Sequence, residues 1–582
     1  MKMKILNIIK RGALVALLLA SVWACKESFL ELTPQGALSS EVLGNELGAE
    51  NALIGAYAML DGYNIDNNNT WPADPWNWIM GSVPSDDAYK GSEQGDLGEA
   101  TELETYEWSA GNSLLNQKWI PLYEGVVRAN STLSLLAQAV ASDKPPATAV
   151  SDRIEGEARF LRAYYHFELY KVWGNIAYFT EEDTDFKKTN QGGDPLGDAI
   201  ADLVVAVQKL PPTQNDAGRV DQKGARAFLG KLYMWANNPT AAKTELDLVV
   251  NSTNLADCQR DLFEYSNENH ESALFSVQMS TSSDAQARNS NWLNQLANPQ
   301  GAGFGCCGFH QPSQNLVNAF KVDANGLPLL DTFNDNDLDP ANDPVDPRLD
   351  LVAGRDGVPY WDWDIHAPDW IRSRDYSGPY SPKKVQPYKA ADAAGRPGGG
   401  WNGPANNGTN YPVIRLADAI LLLAEAEVAG NNLGRAEELV NLVRVRAGNC
   451  AQGPLIDAGG EAAVIDDIND AGITWATYDV QPYPTGTFAS NGAAFALKAV
   501  KFERRLELAL EGHRFFDLRR WNDTKAVLDA YIAVEKTKRT YLEDARAIED
   551  RHALYPIPSQ QVELNKGLAE GEFLQNSGWY DP

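Results

Sequence analysis

Two clusters of tryptophan are the residues in this sequence whose type and spacing could bind a ligand. Trp71, Trp76 and Trp78 stand in the segment T-W-P-A-D-P-W-N-W. A second group lies farther along the chain among Asp, Asn, Gly and Pro residues: Trp361, Trp363, Trp370 and Trp401. Neither cluster has helical spacing, which indicates loops. Aromatic faces on loops suit sugar rings, because pyranose C–H groups stack on the π-system while nearby polar side chains bond the hydroxyls.

Polar side chains beside the tryptophans complete this predicted site. Asp74 and Asn77 lie between the first three rings, and Arg372 follows the second group. The predicted ligand-binding residues are therefore Trp71, Asp74, Trp76, Asn77, Trp78, Trp361, Trp363, Trp370 and Arg372. The alternative for each ring is a hydrophobic plug that holds a long loop in place. We expect that role for about half of the rings, because tryptophan is readily buried.

The sequence contains none of the compact motifs of common catalytic or metal sites. There is no H-E-x-x-H, C-x-x-C, G-x-S-x-G or phosphate-binding loop. Carboxylate pairs for glycoside hydrolysis stay open, because the distance between Asp and Glu side chains is not visible in a sequence. Glu503, Glu507 and Glu511 share a helix face with Arg504 and Arg514 nearby, which favours a salt-bridged structural helix over catalysis. We predict no enzyme activity, no cofactor and no catalytic metal.

The cysteines and one acidic segment leave questions of bonding open. Cys306 and Cys307 are adjacent, and a vicinal disulfide between them would be strained because neighbouring Cα atoms lie only about 3.8 Å apart. If that bond forms, Cys258 pairs with Cys450; free thiols or long-range pairing are the alternatives. The acidic segment 331–339 offers oxygen ligands without EF-hand spacing, so we expect a solvated loop there rather than structural calcium.

The N-terminus has the layout of an export signal. Lys2, Lys4, Lys10 and Arg11 precede the apolar stretch A-L-V-A-L-L-L-A, which is too short to span a bilayer. The following V-W-A-C resembles a bacterial lipobox, so we predict that residues 1–24 are a signal peptide and that Cys25 is acylated. With Cys25 acylated, acyl chains rather than a helix would hold the protein on a membrane. The alternative is a soluble secretory signal.

Composition argues against nucleic acid as a partner. The chain has 582 residues, of which 44% are hydrophobic, and a formal net charge of −29. Loss of the basic signal segment would make the remainder more acidic. Binding to polyphosphate backbones needs clustered Lys and Arg, which this sequence does not show.

Helical periodicity accounts for most of the chain outside the tryptophan-rich loops. Apolar residues at spacings of three and four predict a helix over 153–173. Two helical hairpins are predicted, one over 223–236 and 240–250 and the other over 415–429 and 433–447. In each hairpin the distance between helix starts is close to half of the tetratricopeptide period of about 34 residues. Additional helices are predicted over 46–60, 119–139, 195–210 and 494–510.

These patterns predict a mainly α fold of about four tetratricopeptide-like helix pairs, with a large irregular loop-rich portion and few short strands. One strand is predicted within 272–279. We expect residues 25–582 to form a single unit. Its helix pairs are drawn from about 46–60, 119–250, 413–447 and 494–525, and its loop-rich, ligand-binding portion from about 61–110 and 251–412.

Blocks of sequence from both halves of the chain support a family resemblance. They are C-K-E-S-F-L-E-L-T-P from Cys25, residues 122–130 and 157–167, D-P-R-L from Asp346, residues 411–418, the segment E-R-R-L-E-L-A-L-E-G-H-R-F-F-D-L-R-R-W over 503–521, and Y-P-I-P from Tyr555. In this order they resemble the SusD/RagB family of nutrient-binding outer-membrane lipoproteins. The block over 503–521 is the strongest match.

The resemblance implies a lipid-anchored protein without catalysis on the outer face of the outer membrane. Such proteins capture oligosaccharides, or in some branches peptides, and close as a hinged lid over a TonB-dependent transporter, which the helix-pair side faces. The implied function is capture of an oligosaccharide or polysaccharide and its delivery to a SusC-like transporter. A peptide-binding lid and, with less support, a surface glycoside hydrolase are the alternatives. Because the family's motifs do not fix its binding residues, the predicted site rests on the tryptophan pattern alone.

Overall fold

Helices dominate the part of the chain that the computed structural model describes, which confirms the predicted mainly α fold. The described residues are 43–62, 71–185, 187–279, 292–301, 304, 307–389, 408–449, 473–567 and 572–579. The predicted signal peptide, the predicted acylation site at Cys25, and Trp401 lie outside these residues. Within them, no helix combines the length and the apolar character needed to cross a bilayer.

Several of the N-terminal helices begin at polar capping residues. Side chains of Asn45, Asp194, Asp221 and Asn238 each accept a hydrogen bond from a backbone N–H of the first turn that follows. These bonds satisfy N–H groups that have no partner inside the helix. The helices are α1 (Glu46–Tyr57), α2 (Gly98–Glu104), α3 (Ser113–Val140), α4 (Thr148–Trp173), α5 (Pro195–Lys209), α6 (Gln222–Trp235) and α7 (Pro239–Val250).

The loop-rich insert follows α7, and longer helices resume after it. Short helices in the insert are α8 (Leu293–Leu296), α9 (Gln314–Ala319), α10 (Leu349–Val352) and α11 (Arg374–Ser377). The C-terminal helices are α12 (Leu416–Ala429), α13 (Leu433–Gly448), α14 (Thr487–Glu507), α15 (Arg514–Arg520), α16 (Thr524–Glu535) and α17 (Ser559–Leu564). The four helices of the two predicted hairpins, α6, α7, α12 and α13, therefore begin and end close to the predicted residues.

Short strands pair across the loops. They are β1 (Ala88–Gly91), β2 (Phe275–Val277), β3 (Phe309–Pro312), β4 (Pro344–Val345), β5 (Ala353–Gly354), β6 (Ser381–Pro382), β7 (Tyr411–Ile414) and β8 (Thr477–Tyr478). Among the described residues they form two-stranded sheets: β1 with β3, β2 with β7 and β5 with β6 are antiparallel, and β4 with β8 is parallel. The strand β2 confirms the one predicted within 272–279.

The long helices pack as a continuous stack. Each of α3 to α6 packs against the next helix in the chain, and so do α12 and α13. The stack continues across the insert, because α7 packs directly against α12. The loop-rich insert therefore interrupts the sequence of the helical framework but not its packing, since the helices before and after the insert are neighbours.

A row of buried carboxylates joins α14 to α12 and α13. Glu507 accepts a hydrogen bond from Arg415 Nη1 at 2.5 Å and also pairs with Arg446. One turn earlier, Glu503 accepts from Arg444 Nη1 at 3.0 Å. None of these five side chains is more than 4% exposed. The pairs are thus removed from water and depend on one another for compensation of charge.

The same row holds the loop-rich insert. Arg348, which precedes α10, lies 2.7 Å from Glu503 and 3.1 Å from Glu507 through its Nη1 atom. Lys384, in the segment after β6, lies 2.5 Å from Glu511. These contacts confirm that the three glutamates are structural, as the sequence predicted.

The partners of this row differ from the two arginines expected beside it. Arg504 donates to Asp418 on α12 at 2.7 Å, and Arg514 donates to Asp86 at 2.7 Å. Both arginines are close to the glutamates in sequence but belong to separate ion pairs. The row is instead neutralised by cations that are distant along the chain.

We expect Glu507→Gln to lower the free energy of unfolding by about 3–5 kcal/mol, because three buried guanidinium groups lose the charge that compensates them. Glu438→Gln is the matched control, since Glu438 pairs with Arg435 on the surface and its side chain is 67% exposed. A surface pair contributes about 0–1 kcal/mol. Urea denaturation followed by circular dichroism measures both; equal effects would contradict the central role of Glu507.

This difference should also depend on pH. Burial by itself would raise the pKa of Glu507, but Arg446, Arg415 and Arg348 hold it well below its ordinary value. A lowered pKa stabilises the fold above the ordinary carboxyl range, and that stabilisation is lost as the pH falls through the folded pKa. The difference in free energy of unfolding between the natural protein and Glu507→Gln should therefore become smaller at acidic pH.

Candidate functional site

The first tryptophan cluster and Arg372 both approach the sheet of β1 and β3. Phe309, the first residue of β3, has its ring 6.1 Å from that of Trp71 and 5.9 Å from that of Trp78. Ser92, directly after β1, receives a hydrogen bond from Arg372 Nη1 at 3.2 Å. Arg372, the polar residue predicted beside the second cluster, therefore approaches the same short sheet as Trp71 and Trp78.

Trp76 and Trp78 are fully buried. The ring of Trp76 lies 4.7 Å from Tyr411 and 5.9 Å from Phe263, and Trp78 packs on Phe309. Neither ring presents a face to a ligand in this structure, so the plug role that we considered as the alternative describes both. The physical reason is that this segment runs under β3 and β7 rather than over the surface.

Asp74 and Asn77 support the same segment from within. Asp74 accepts hydrogen bonds from the backbone N–H of Trp76 at 2.8 Å and of Leu293 at 2.6 Å. Burial raises the pKa of its carboxyl to about 7, against the lowering effect of these N–H groups. Asn77 has a left-handed backbone (φ 54°) and donates to Glu168 Oε2 at 3.0 Å. Both were predicted to bind a ligand, and both instead hold the chain in a buried turn.

Among the described rings of the second tryptophan cluster, Trp363 is the most exposed. Trp361 and Trp370 are each only 6% exposed and pack within a small core with Tyr360. Trp363 is half-buried, lies 4.1 Å from Phe304 between ring centroids, and donates its indole N–H to Pro387 O at 2.9 Å. Of these three predicted ligand-binding rings, Trp363 keeps a surface that a sugar could cover.

Arg372 lies at the surface with acidic neighbours. It contacts Glu93 at 2.7 Å and Asp96 at 2.9 Å, and its side chain is 34% exposed. The group presents donor and acceptor atoms side by side, which suits a ligand rich in hydroxyl groups. Arg372 therefore remains a predicted hydrogen-bonding residue, and Glu93 and Asp96 join it.

Two half-buried rings that the sequence patterns did not single out belong with these residues. Trp292 lies 6.0 Å from Trp71, and Tyr388 lies 5.5 Å from Trp361. Neither ring is part of a tryptophan cluster, so clustering could not reveal it; an aromatic residue in an Asn-rich or Pro-rich stretch was the available signal. We use the name aromatic loop face for two groups of half-buried rings, Trp71 with Trp292 and Trp363 with Tyr388, together with the exposed Arg372.

The remaining predicted features concern cysteine and calcium. Cys258 and Cys307 are each disulfide-bonded. Cys306 and Cys450 lie outside the described residues, so the vicinal pairing stays a prediction. In the acidic segment 331–339, Asp331 pairs with Lys498 and Asp337 with Lys538, and a calcium role there also stays a prediction.

The structure is that of a helical scaffold protein: a stack of helices carries a loop-rich portion with half-buried aromatic rings. Comparisons with known proteins identify its family. The model of the SusD family matches residues 272–579. A second model, described as "Starch-binding associating with outer membrane", matches residues 47–234. The first match covers more than half of the chain. This protein belongs to the SusD family.

Individual relatives agree with this assignment. "SusD-like protein P25" of Formosa agariphila is 23% identical over 99% of both chains. A SusD-like protein of Bacteroides ovatus is 26% identical, with 48% of this chain matching 50% of that relative.

Solved structures show the same fold. A SusD superfamily protein of Bacteroides vulgatus superposes with a TM-score of 0.67 at 19% identity, covering 92% of this chain and 99% of that one. Surface glycan-binding protein A of Bacteroides thetaiotaomicron, solved with laminarihexaose, gives a TM-score of 0.63 at 18% identity over 91% and 99% of the two chains.

Substitution should separate the buried rings from the half-buried ones. We expect Trp76→Ala to lower the free energy of unfolding by about 3–5 kcal/mol, because it leaves a cavity against Tyr411 and Phe263. Trp363→Ala should cost on the order of 1 kcal/mol, since half of that ring is already in water. Urea denaturation of both variants is the measurement, and a small loss for Trp76→Ala would show that its ring is not a plug.

Asp74 should make stability fall as the pH rises. Its folded pKa of about 7 lies above the ordinary carboxyl value, so its contribution is complete below about pH 4 and is lost as the pH rises through 7. Asp74→Asn cannot ionise. Its stability relative to the natural protein should therefore increase by up to about 1.4 kcal/mol per pH unit between about pH 4 and 7. Denaturation curves across this range test it, and a constant offset between the two proteins would contradict a buried, titrating carboxyl.

Proposed function

We propose that this protein is a lipid-anchored, non-catalytic surface protein that captures oligosaccharides and delivers them to a TonB-dependent outer-membrane transporter. The observation that carries the proposal is the aromatic loop face on a SusD-family helical stack. Family membership adds support, because the description of one matching model reads "Starch-binding associating with outer membrane". Structural neighbours add more: one is named a laminarin-binding SusD-like protein and another was solved with laminarihexaose.

The chemistry of the aromatic loop face fits a neutral sugar chain. Half-buried rings offer one apolar face each, which is the shape that the C–H face of a pyranose covers. Arg372 with Glu93 and Asp96 offers both donors and acceptors to hydroxyl groups. A stacked ring contributes on the order of 1 kcal/mol, so three or four contacts together correspond to affinities of roughly micromolar to millimolar.

Delivery to a transporter needs a second surface. Large apolar side chains are exposed along the helical stack, including Leu47 and Ile54 on α1 and Ile120 and Val127 on α3, at 38–69% exposure. Because α1 packs against α3, these residues lie on neighbouring elements. Exposed apolar side chains of this kind favour docking to another protein. We assign the transporter to this helical side and the glycan to the loops, with acylated Cys25 holding the protein at the cell surface.

Glycan binding should depend on Trp363. We expect Trp363→Ala to weaken binding of maltohexaose or laminarihexaose about tenfold, because a stacked ring is worth on the order of 1 kcal/mol and the remaining contacts lose its support. Trp235→Ala is the matched control, since Trp235 is also half-buried but lies on α6. Affinity gel electrophoresis and calorimetry of the purified proteins measure the difference.

The same experiment decides among the alternatives. Binding that Trp363→Ala weakens and Trp235→Ala leaves intact supports glycan capture on the aromatic loop face. Displacement of the glycan by peptides, or binding of peptides alone, would replace it with a peptide-capturing protein. Release of reducing ends at a steady rate would overturn the non-catalytic assignment.

A further inference from the structure

A cleft separate from the aromatic loop face lies between α14, α16 and the loop of residues 330–335. Its volume is about 600 Å³, within the range of ligand sites of small molecules. It shares no lining residue with the aromatic loop face. We name it the α14–α16 cleft.

Two half-buried aromatic rings line this cleft, Phe333 from the loop and Trp521 from the turn between α15 and α16. The Trp521 indole N–H donates to Glu425 at 3.2 Å, and Lys501 Nζ lies 5.0 Å from its ring centroid. The Arg505 guanidinium lies 5.5 Å from the ring of Phe333. Both rings are thus held by charged neighbours while part of each stays accessible.

Two ion pairs lie at the rim. Lys501 contacts Asp523 at 2.6 Å, and Lys498 pairs with Asp331. The lining as a whole contains four acidic and four basic residues, so it has no excess of either charge, and it presents ammonium donors next to carboxylate acceptors. A charged ligand would be repelled by one member of each ion pair and attracted by the other. A hydroxyl group, in contrast, can donate to one member and accept from the other.

Small and apolar residues form another part of the lining. Ala526 and Ala530 on α16 are exposed, and Val527 and Leu518 lie beside them. Small side chains leave room above the helix, and apolar ones favour a ligand that also has an apolar face. A pyranose combines such a face with a hydroxyl edge, so its surface matches the division between lining and rim.

We propose that the α14–α16 cleft is a second saccharide site, in which one or two neutral pyranose units bind against Phe333 and Trp521 with hydroxyls on the Lys501–Asp523 and Lys498–Asp331 pairs. This inference rests on the proposed function in that it assigns the same class of ligand to a different part of the chain. A second site of modest affinity raises the effective concentration of a long glycan at the protein. Binding of a polysaccharide should therefore exceed that of its short fragments.

Calorimetric titration with maltotriose and with laminaritriose tests the cleft, because a trisaccharide is too short to require both sites at once. We expect about two sites per chain in the natural protein for at least one of the two sugars. Phe333→Ala should remove or weaken one site about tenfold and leave the other, while Trp363→Ala should do the reverse.

A second variant guards against an effect of Phe333 on folding. Ala526→Trp places a large side chain in the cleft at an exposed position of α16, so it should block the site without removing any native contact. Circular dichroism and denaturation curves of all variants check that the fold is intact.

The possible results separate this inference from the proposed function. One site per chain that Trp363→Ala weakens and both cleft variants leave intact overturns the second site while the glycan-binding function stands. No binding of either trisaccharide or of the hexasaccharides by the natural protein overturns both. Loss of one of two sites in Phe333→Ala and in Ala526→Trp supports the cleft.

Discussion

Charges buried inside the helical stack keep the loop-rich portion of this protein in place. Glu507 is at their centre: it contacts Arg415, directly before α12, Arg446 from α13, and Arg348 from the insert. Taking such groups out of water costs several kcal/mol each, so the set is stable only when every member is present. The helices and the insert therefore cannot reach their native positions independently of one another, and the geometry of the aromatic loop face depends on that shared constraint.

The helical framework was predictable because its signals are local. Apolar spacing predicted the helix over 153–173, which lies inside α4, and both hairpins. The carboxylate row on α14 was also recognisable as structural, since its members repeat every fourth residue on one face. Its partners were not recognisable. Arg348 and Arg415 are far from the row in sequence, and only the folded chain shows that they, rather than Arg504 and Arg514, neutralise it.

The burial of the individual tryptophan rings was not predictable from the sequence. Trp76 and Trp363 have similar neighbours in the sequence, yet one is fully buried and the other half-buried. The difference arises from distant contacts, such as Tyr411 of β7 against Trp76. Loops have no period from which an inner and an outer face could be read. The sequence pattern did not indicate Trp292 for a related reason, because the ring that it contacts, Trp71, belongs to another segment.

The attachment of the insert has a mechanical consequence. Under the proposed function, a bound glycan that is still part of a larger polymer would place a mechanical load on the protein at the loops. From there it passes through Arg348 and Lys384 to the glutamates of α14 and the residues after it, and so into the helices. Force is thus shared among several buried charge contacts in parallel rather than carried only by the chain connections that lead into and out of the insert.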